Sequence, residues 1–202
     1  MLDALAGLGK HPVGLATGLG LLYAGAGTAA MAGLWAWYVS PAFGTATDAV
    51  LLAASLVSIA IFGRRGDLRG LGLPLALAVA VSLLYTGIAF LQTGVTIMPW
   101  LSIVHTFWHA GDNYGPLRLA VKMAAHQPLG GFLAGNWLAS DRPPLQTGFT
   151  LLLWPLWSVA DRAGYQFLGT VLQAAWLPAL WVVFRACGVS VRRTCAAVLA
   201  TA

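Results

Sequence analysis

The 202-residue chain contains no glutamate, and only 8% of its residues are charged, about a third of the share in an ordinary soluble domain. With 59% hydrophobic residues, too few polar groups remain to clothe a water-facing surface, which excludes a soluble globular domain. Cysteine is scarce as well. Cys187 and Cys195 stand eight apart in or beside an apolar segment, a spacing that fits neither a CxxC redox or metal pair nor a disulfide framework. Both read as packing residues buried in the membrane. The pI of about 9.7 is accompanied by no basic helix and no aromatic RNA-binding motif, so nucleic acid is excluded as a partner.

What is present is a series of long uncharged runs separated by short charged clusters. This is the pattern expected when a charge at the centre of a bilayer costs about 2.5–3.5 kcal/mol. A first span is expected from Val13 to Val39, closing on Trp35, Trp37 and Tyr38, aromatic residues of the type that anchor at a membrane interface. Ser40-Pro41 through Thr47 reads as a short turn, and a second span as Ala49 to Gly63, stopping at Arg64, Arg65 and Arg69. Arginines in short loops are held on the cytoplasmic side, which places Lys10 and the amino terminus there too. A third span, Leu71 to Leu91, then crosses outward, and the polar stretch from Gln92 to about Tyr165 faces the exterior.

The apolar run from Leu145 to Ala160 is too short, at 16 residues or about 24 Å of helix, to cross a hydrocarbon core of about 30 Å. If it does not cross, the next span at Gln166 to Phe184 runs inward and leaves Arg185, Arg192 and Arg193 inside, in accord with the charge rule. The expected fold is all-α, a polytopic transmembrane helical bundle with external juxtamembrane helices. Residues 1–92 carry about three spans, 93–165 form an external loop with juxtamembrane helices, and 166–202 hold a transmembrane helix, a basic cytoplasmic loop and the start of a further span. That last apolar segment, from Thr194, is too short to cross, so the chain reads as the amino-terminal part of a longer protein. No cleavable signal peptide is expected, because the first apolar stretch is too long. The spans themselves show essentially no ionisable residue.

Chemistry is concentrated in the external loop. Leu117 to Ala125 places Leu117, Val121, Ala124 and Ala125 on one face and Arg118 and Lys122 on another, as in an amphipathic helix lying along the interface. Asp112 stands where the chain leaves the membrane, a place where a partly desolvated carboxylate can accept a proton or pair with a cation. Pro143 and Pro144 stiffen the turn that follows Asp141 and Arg142, and a planar guanidinium held there suits a phosphate. His105, His109 and Asp112 fall on one helical face, but no glutamate accompanies the pair as in HExxH, so no metal site and no cofactor are assigned; a divalent metal is left open. His126 and Tyr114 read as interface residues, and Trp100, Trp108, Trp137, Trp154 and Trp157 as interfacial anchors.

Residues 112–202 resemble the GT-C membrane glycosyltransferases, the group that includes protein O-mannosyltransferases and lipid A aminoarabinose transferases. The resemblance rests on the order Asp112-Asn113-Tyr114, the amphipathic helix, Asp141-Arg142-Pro143-Pro144-Leu145, a half-length apolar helix, and a span ending at Arg192-Arg193. Asn113 stands where many relatives carry a second acid, and Asp141 where His or Glu is usual. The resemblance implies transfer of a sugar from a polyprenyl-phosphate donor to an acceptor on the external or periplasmic face of the inner or plasma membrane. It implies Asp112 as catalytic carboxylate, Arg142 as ligand of the carrier phosphate, and Asp141, Lys122 and Arg118 in supporting roles. Its partners would be the polyprenyl-phosphate-linked sugar and membrane lipids. The alternative is a non-enzymatic polytopic protein, a transporter or assembly subunit, whose loop binds lipid headgroups.

Overall fold

The structure, a computed structural model, describes residues 12–65, 69–93, 110–134, 137–138, 144–157 and 161–201. The described residues are all-α apart from one short strand pair. Helices α1 (Pro12–Val39), α2 (Pro41–Arg65) and α3 (Arg69–Thr93) are followed by α4 (Ala110–Ala124) and the strands β1 (Phe132–Ala134) and β2 (Trp137–Leu138). Then come α5 (Pro144–Leu152), α6 (Trp154–Trp157), α7 (Asp161–Ala174), α8 (Trp176–Ala186) and α9 (Val191–Thr201). β1 and β2 are antiparallel, with Phe132 opposite Leu138 and Ala134 opposite Trp137.

Among the described residues, four stretches are long and apolar enough to cross a membrane: Gly14–Val39, Pro41–Ile61, Gly70–Ile88 and Gly164–Ala186. Large apolar side chains lie on their outward faces, with Leu21, Val50, Leu56 and Leu84 exposed, as suits a helix whose solvent is lipid. The chain is a multi-span membrane protein.

The second helix begins earlier than the sequence pattern implies. Ser40 accepts the Phe43 backbone N–H on its hydroxyl at 3.1 Å, and its carbonyl accepts the Gly44 N–H at 2.9 Å. It is therefore an N-cap, and Pro41 behind it needs no hydrogen-bond donor. The expected turn through Thr47 shrinks to one residue, and Asp48 is drawn into the span. The run from Leu145 to Ala160 is likewise not one helix. Pro155 has no N–H to offer the carbonyl four residues back, and α5 gives way to a turn at Leu153 before the short α6. Nine residues of α5 rise about 13.5 Å, too little to cross.

The residues group into two compact units. The first comprises Met1–Gly25, Ser55–Tyr85 and Thr170–Ala202. One apolar cluster joins Ala78, Val81, Ala174, Leu177, Trp181 and Val198, and another joins Leu15, Leu19, Leu71 and Val182. The span expected at Gln166 to Phe184 breaks at Ala175, because Pro178 leaves the Ala174 carbonyl without its helical donor. The neighbouring Ala175 carbonyl is bonded by the Tyr23 hydroxyl. Helix α8 closes with Gly188 at φ 75°, the Val189 N–H returning to the Phe184 carbonyl at 3.0 Å. Cys195 packs half-buried against the first cluster, but Cys187 is exposed at the end of α8, which corrects its reading as a buried residue.

The second unit comprises Ala26–Ala54 and Thr86–Gly169. Its core joins Leu34 and Trp37 of α1, Leu119, Ala120 and Met123 of α4, and Leu151 of α5. Helix α5 approaches α1 backbone to backbone: a Cβ on Gly148 would lie 2.4 Å from the Ala30 carbonyl oxygen. Small residues allow such close approach between membrane helices. Gly148→Ala should therefore destabilise the protein by about 1–3 kcal/mol through overpacking. Gly20→Ala, where a Cβ would meet nothing within 4 Å, should be neutral or stabilising by up to about 1 kcal/mol. Thermal unfolding of the two variants in one detergent gives the comparison, and an equal loss in both would contradict this packing.

Candidate functional site

Helix α4 carries three of the residues singled out by the sequence, and it starts seven residues earlier than the pattern suggests. Asp112 thus lies in its first turn, where the helix dipole favours an anionic side chain. Pro116 sits within the helix and removes the backbone bond that would otherwise reach the Asp112 carbonyl. The buried face is formed by Leu117, Leu119, Ala120 and Met123, while Val121 and Ala125 are exposed. The face therefore differs from the one expected, because the core is met on both sides of Ala120. Arg118 is exposed and Lys122 half-buried, one helical turn apart and off the packed face. Along the axis they lie about 9 Å and 15 Å from Asp112, so Arg118 is the nearer cation.

Polar side chains join α4 to its support. Thr147 of α5 donates to the Pro116 carbonyl at 3.4 Å, and the Gln146 amide donates to the Tyr165 hydroxyl at 2.9 Å. Tyr165 is buried against Leu117 and also hydrogen-bonds with its backbone. The Thr150 hydroxyl returns to the Gln146 carbonyl at 2.8 Å. Asp141, Arg142, His105 and His109 lie outside the described residues, as do the side chains of Asp112 and Tyr114. Among the described residues no group of three His, Cys or Asp side chains could hold a metal ion.

A second feature was hidden from the sequence pattern. Asp48 is fully buried in α2, and its Oδ2 accepts the Trp37 indole N–H at 2.5 Å. Its Oδ1 has no hydrogen-bond partner among the described residues. Two glycines make the room: a Cβ on Gly33 would lie 2.6 Å from that Oδ1, and a Cβ on Gly44 would lie 2.5 Å from the Trp37 ring. Seven residues past Pro41, Asp48 sits about 10 Å along the helix and inside the candidate span. The spans are therefore not free of ionisable residues, contrary to expectation. A hydrogen bond to a charged group contributes about 1.5–3 kcal/mol. An aspartate at the centre of a span costs about 2.5–3.5 kcal/mol. The bond and the burial cost are of similar size, so the pair brings little net stability. The cue in the sequence was the Ser40-Pro41 helix start.

The aromatic residues at the end of α1 divide in two. Trp35 and Tyr38 are exposed and meet edge to face at 6.0 Å, as interfacial anchors do. Trp37 is 4% exposed and belongs to the core, with its N–H consumed by Asp48. Compared with known proteins, the chain matches no family model, no curated protein and no solved structure.

The end of α4 adds a strained position. His126 adopts φ 51°, with its own N–H returning to the Met123 carbonyl at 3.0 Å and the Gln127 N–H to Lys122 at 2.8 Å. Gly188 fills the equivalent place after α8, and glycine bears that backbone without strain. His126→Gly should stabilise the protein by about 1 kcal/mol. A lower midpoint of thermal unfolding in that variant would show that the exposed imidazole makes a compensating interaction.

Proposed function

We propose that the protein is a membrane glycosyltransferase that moves a sugar from a polyprenyl-phosphate donor to an acceptor on the external or periplasmic face of the inner or plasma membrane. The observation that carries this reading is the pairing of α4 with α5. An amphipathic helix with Asp112 in its first turn, and with Arg118 and Lys122 off its packed face, is seated on a nine-residue helix too short to cross, in a chain whose described residues include four span-length apolar stretches. Such a platform would hold polar groups at the level of lipid headgroups, where a lipid-linked phosphate would present itself. Asp112 would take the proton of the acceptor hydroxyl as it attacks the anomeric carbon, and the carrier phosphate would leave with its negative charge met by Arg142 and Arg118. Asp141 and Lys122 would support these roles, and membrane lipids would surround the site.

A second reading, a non-enzymatic transporter or assembly subunit, has one observation in its favour. Asp48 lies inside a candidate span, and ionisable residues there commonly mark ion or substrate pathways. The two readings separate in one assay: release of radiolabelled sugar from polyprenyl-phosphate donors by membranes carrying the protein. Asp112→Asn should lower kcat by about 10²–10⁴-fold. Arg142→Ala should act mainly on the donor KM, since it removes a bond present before and during transfer. Undiminished turnover in Asp112→Asn sinks the general-base role. No transfer by the wild type across a broad donor panel, together with solute uptake into proteoliposomes that Asp48→Asn abolishes, favours the transport reading.

A further inference from the structure

We infer that Asp48 and Trp37 are positioning residues for the transfer proposed above, a conclusion that rests on that reading. Asp48 fixes the Trp37 indole, and the indole forms part of the seat on which α4, the carrier of Asp112, Arg118 and Lys122, is docked. The chain of contacts is continuous. The Asp48 carboxylate accepts the indole N–H at 2.5 Å. The ring packs in one buried cluster with Leu119, Ala120 and Met123, which are the docked face of α4, and with Leu151 of the supporting helix α5.

The surroundings are shaped to this pair. Gly44 leaves the space that the indole occupies, and Gly33 leaves the space for the carboxylate. An apolar residue at position 48 would fill a span at lower cost, so the carboxylate is kept for what it does to Trp37. An acceptor fixed opposite the indole N–H restricts this large side chain to one orientation, where hydrophobic packing alone would allow several. A tilt of α4 of even a small angle is magnified along its fifteen residues, and misplacement of reacting groups by about 1 Å costs on the order of 100-fold in rate. Asp48 therefore acts on turnover from within the span, without touching substrate.

The test combines amide hydrogen exchange of the intact protein in lipid nanodiscs with transfer kinetics. Exchange across residues 110–124 should quicken about tenfold in Asp48→Ala and equally in Trp37→Phe, while exchange across residues 191–201 stays unchanged. Asp48→Asn keeps an acceptor for the indole and should stay within about twofold of wild type in exchange. In transfer, Asp48→Ala and Trp37→Phe should each lower kcat about tenfold with little change in donor KM, and the double variant should be no worse than either single one. If Asp48→Ala does not fold, Trp37→Phe and Asp48→Asn still give the comparison. Unchanged exchange in 110–124 for Trp37→Phe overturns the seating. Quickened exchange with undiminished kcat overturns the positioning role. A wild type that transfers no sugar defeats the glycosyltransferase reading instead, while the exchange pattern by itself still decides whether Asp48 and Trp37 seat α4.

Discussion

In hydrocarbon a backbone N–H or carbonyl has no water to bond with, so a chain that crosses a membrane must satisfy these groups within itself. Most of the structure depends on that constraint. It accounts for the long apolar helices, for the placement of charges at their ends, and for the way breaks are treated. Where Pro178 interrupts the span Gly164–Ala186, a tyrosine hydroxyl bonds the adjacent Ala175 carbonyl. Where α2 starts, Ser40 caps it with its own hydroxyl. Thr150, Ser82 and Thr201 likewise return their hydroxyls to carbonyls of the preceding turn.

With helix–helix contact in lipid receiving little help from the hydrophobic effect, close packing has to come from small residues and from hydrogen bonds. The unit that holds the candidate site uses both. Gly148 lets α5 lie on the backbone at Ala30, and Gly33 and Gly44 admit Asp48 and Trp37. Thr147, Gln146 and Tyr165 tie α4 to α5 and α7 with polar bonds. The outcome is an amphipathic helix held beside apolar ones.

Within that arrangement the buried carboxylate stands apart. Thr147 and Thr150 return their hydroxyls to the backbone and Gln146 bonds Tyr165, whereas Asp48 brings an ionisable group into a span. Its value lies in the orientation of one indole ring, and through that ring in the docking of α4. This links a residue inside the span to the helix that bears the candidate chemistry.

The sequence by itself determined the all-α, multi-span character, because charge scarcity and run length are one-dimensional properties that the bilayer reads directly. It also placed Asp112, Arg118 and Lys122 on or beside an amphipathic helix, and it foresaw that the run after Pro144 is too short to cross. The helix start at Ser40 was legible only through its cap and Pro41, whose effect is local and easily read as a turn. The buried face of α4, the division of Trp35 from Trp37 and the partnership of Trp37 with Asp48 were decided by tertiary structure alone. A residue's hydropathy tells whether it can leave water, but which neighbour it meets depends on where two helices cross, and here that was set by glycines at positions 33, 44 and 148.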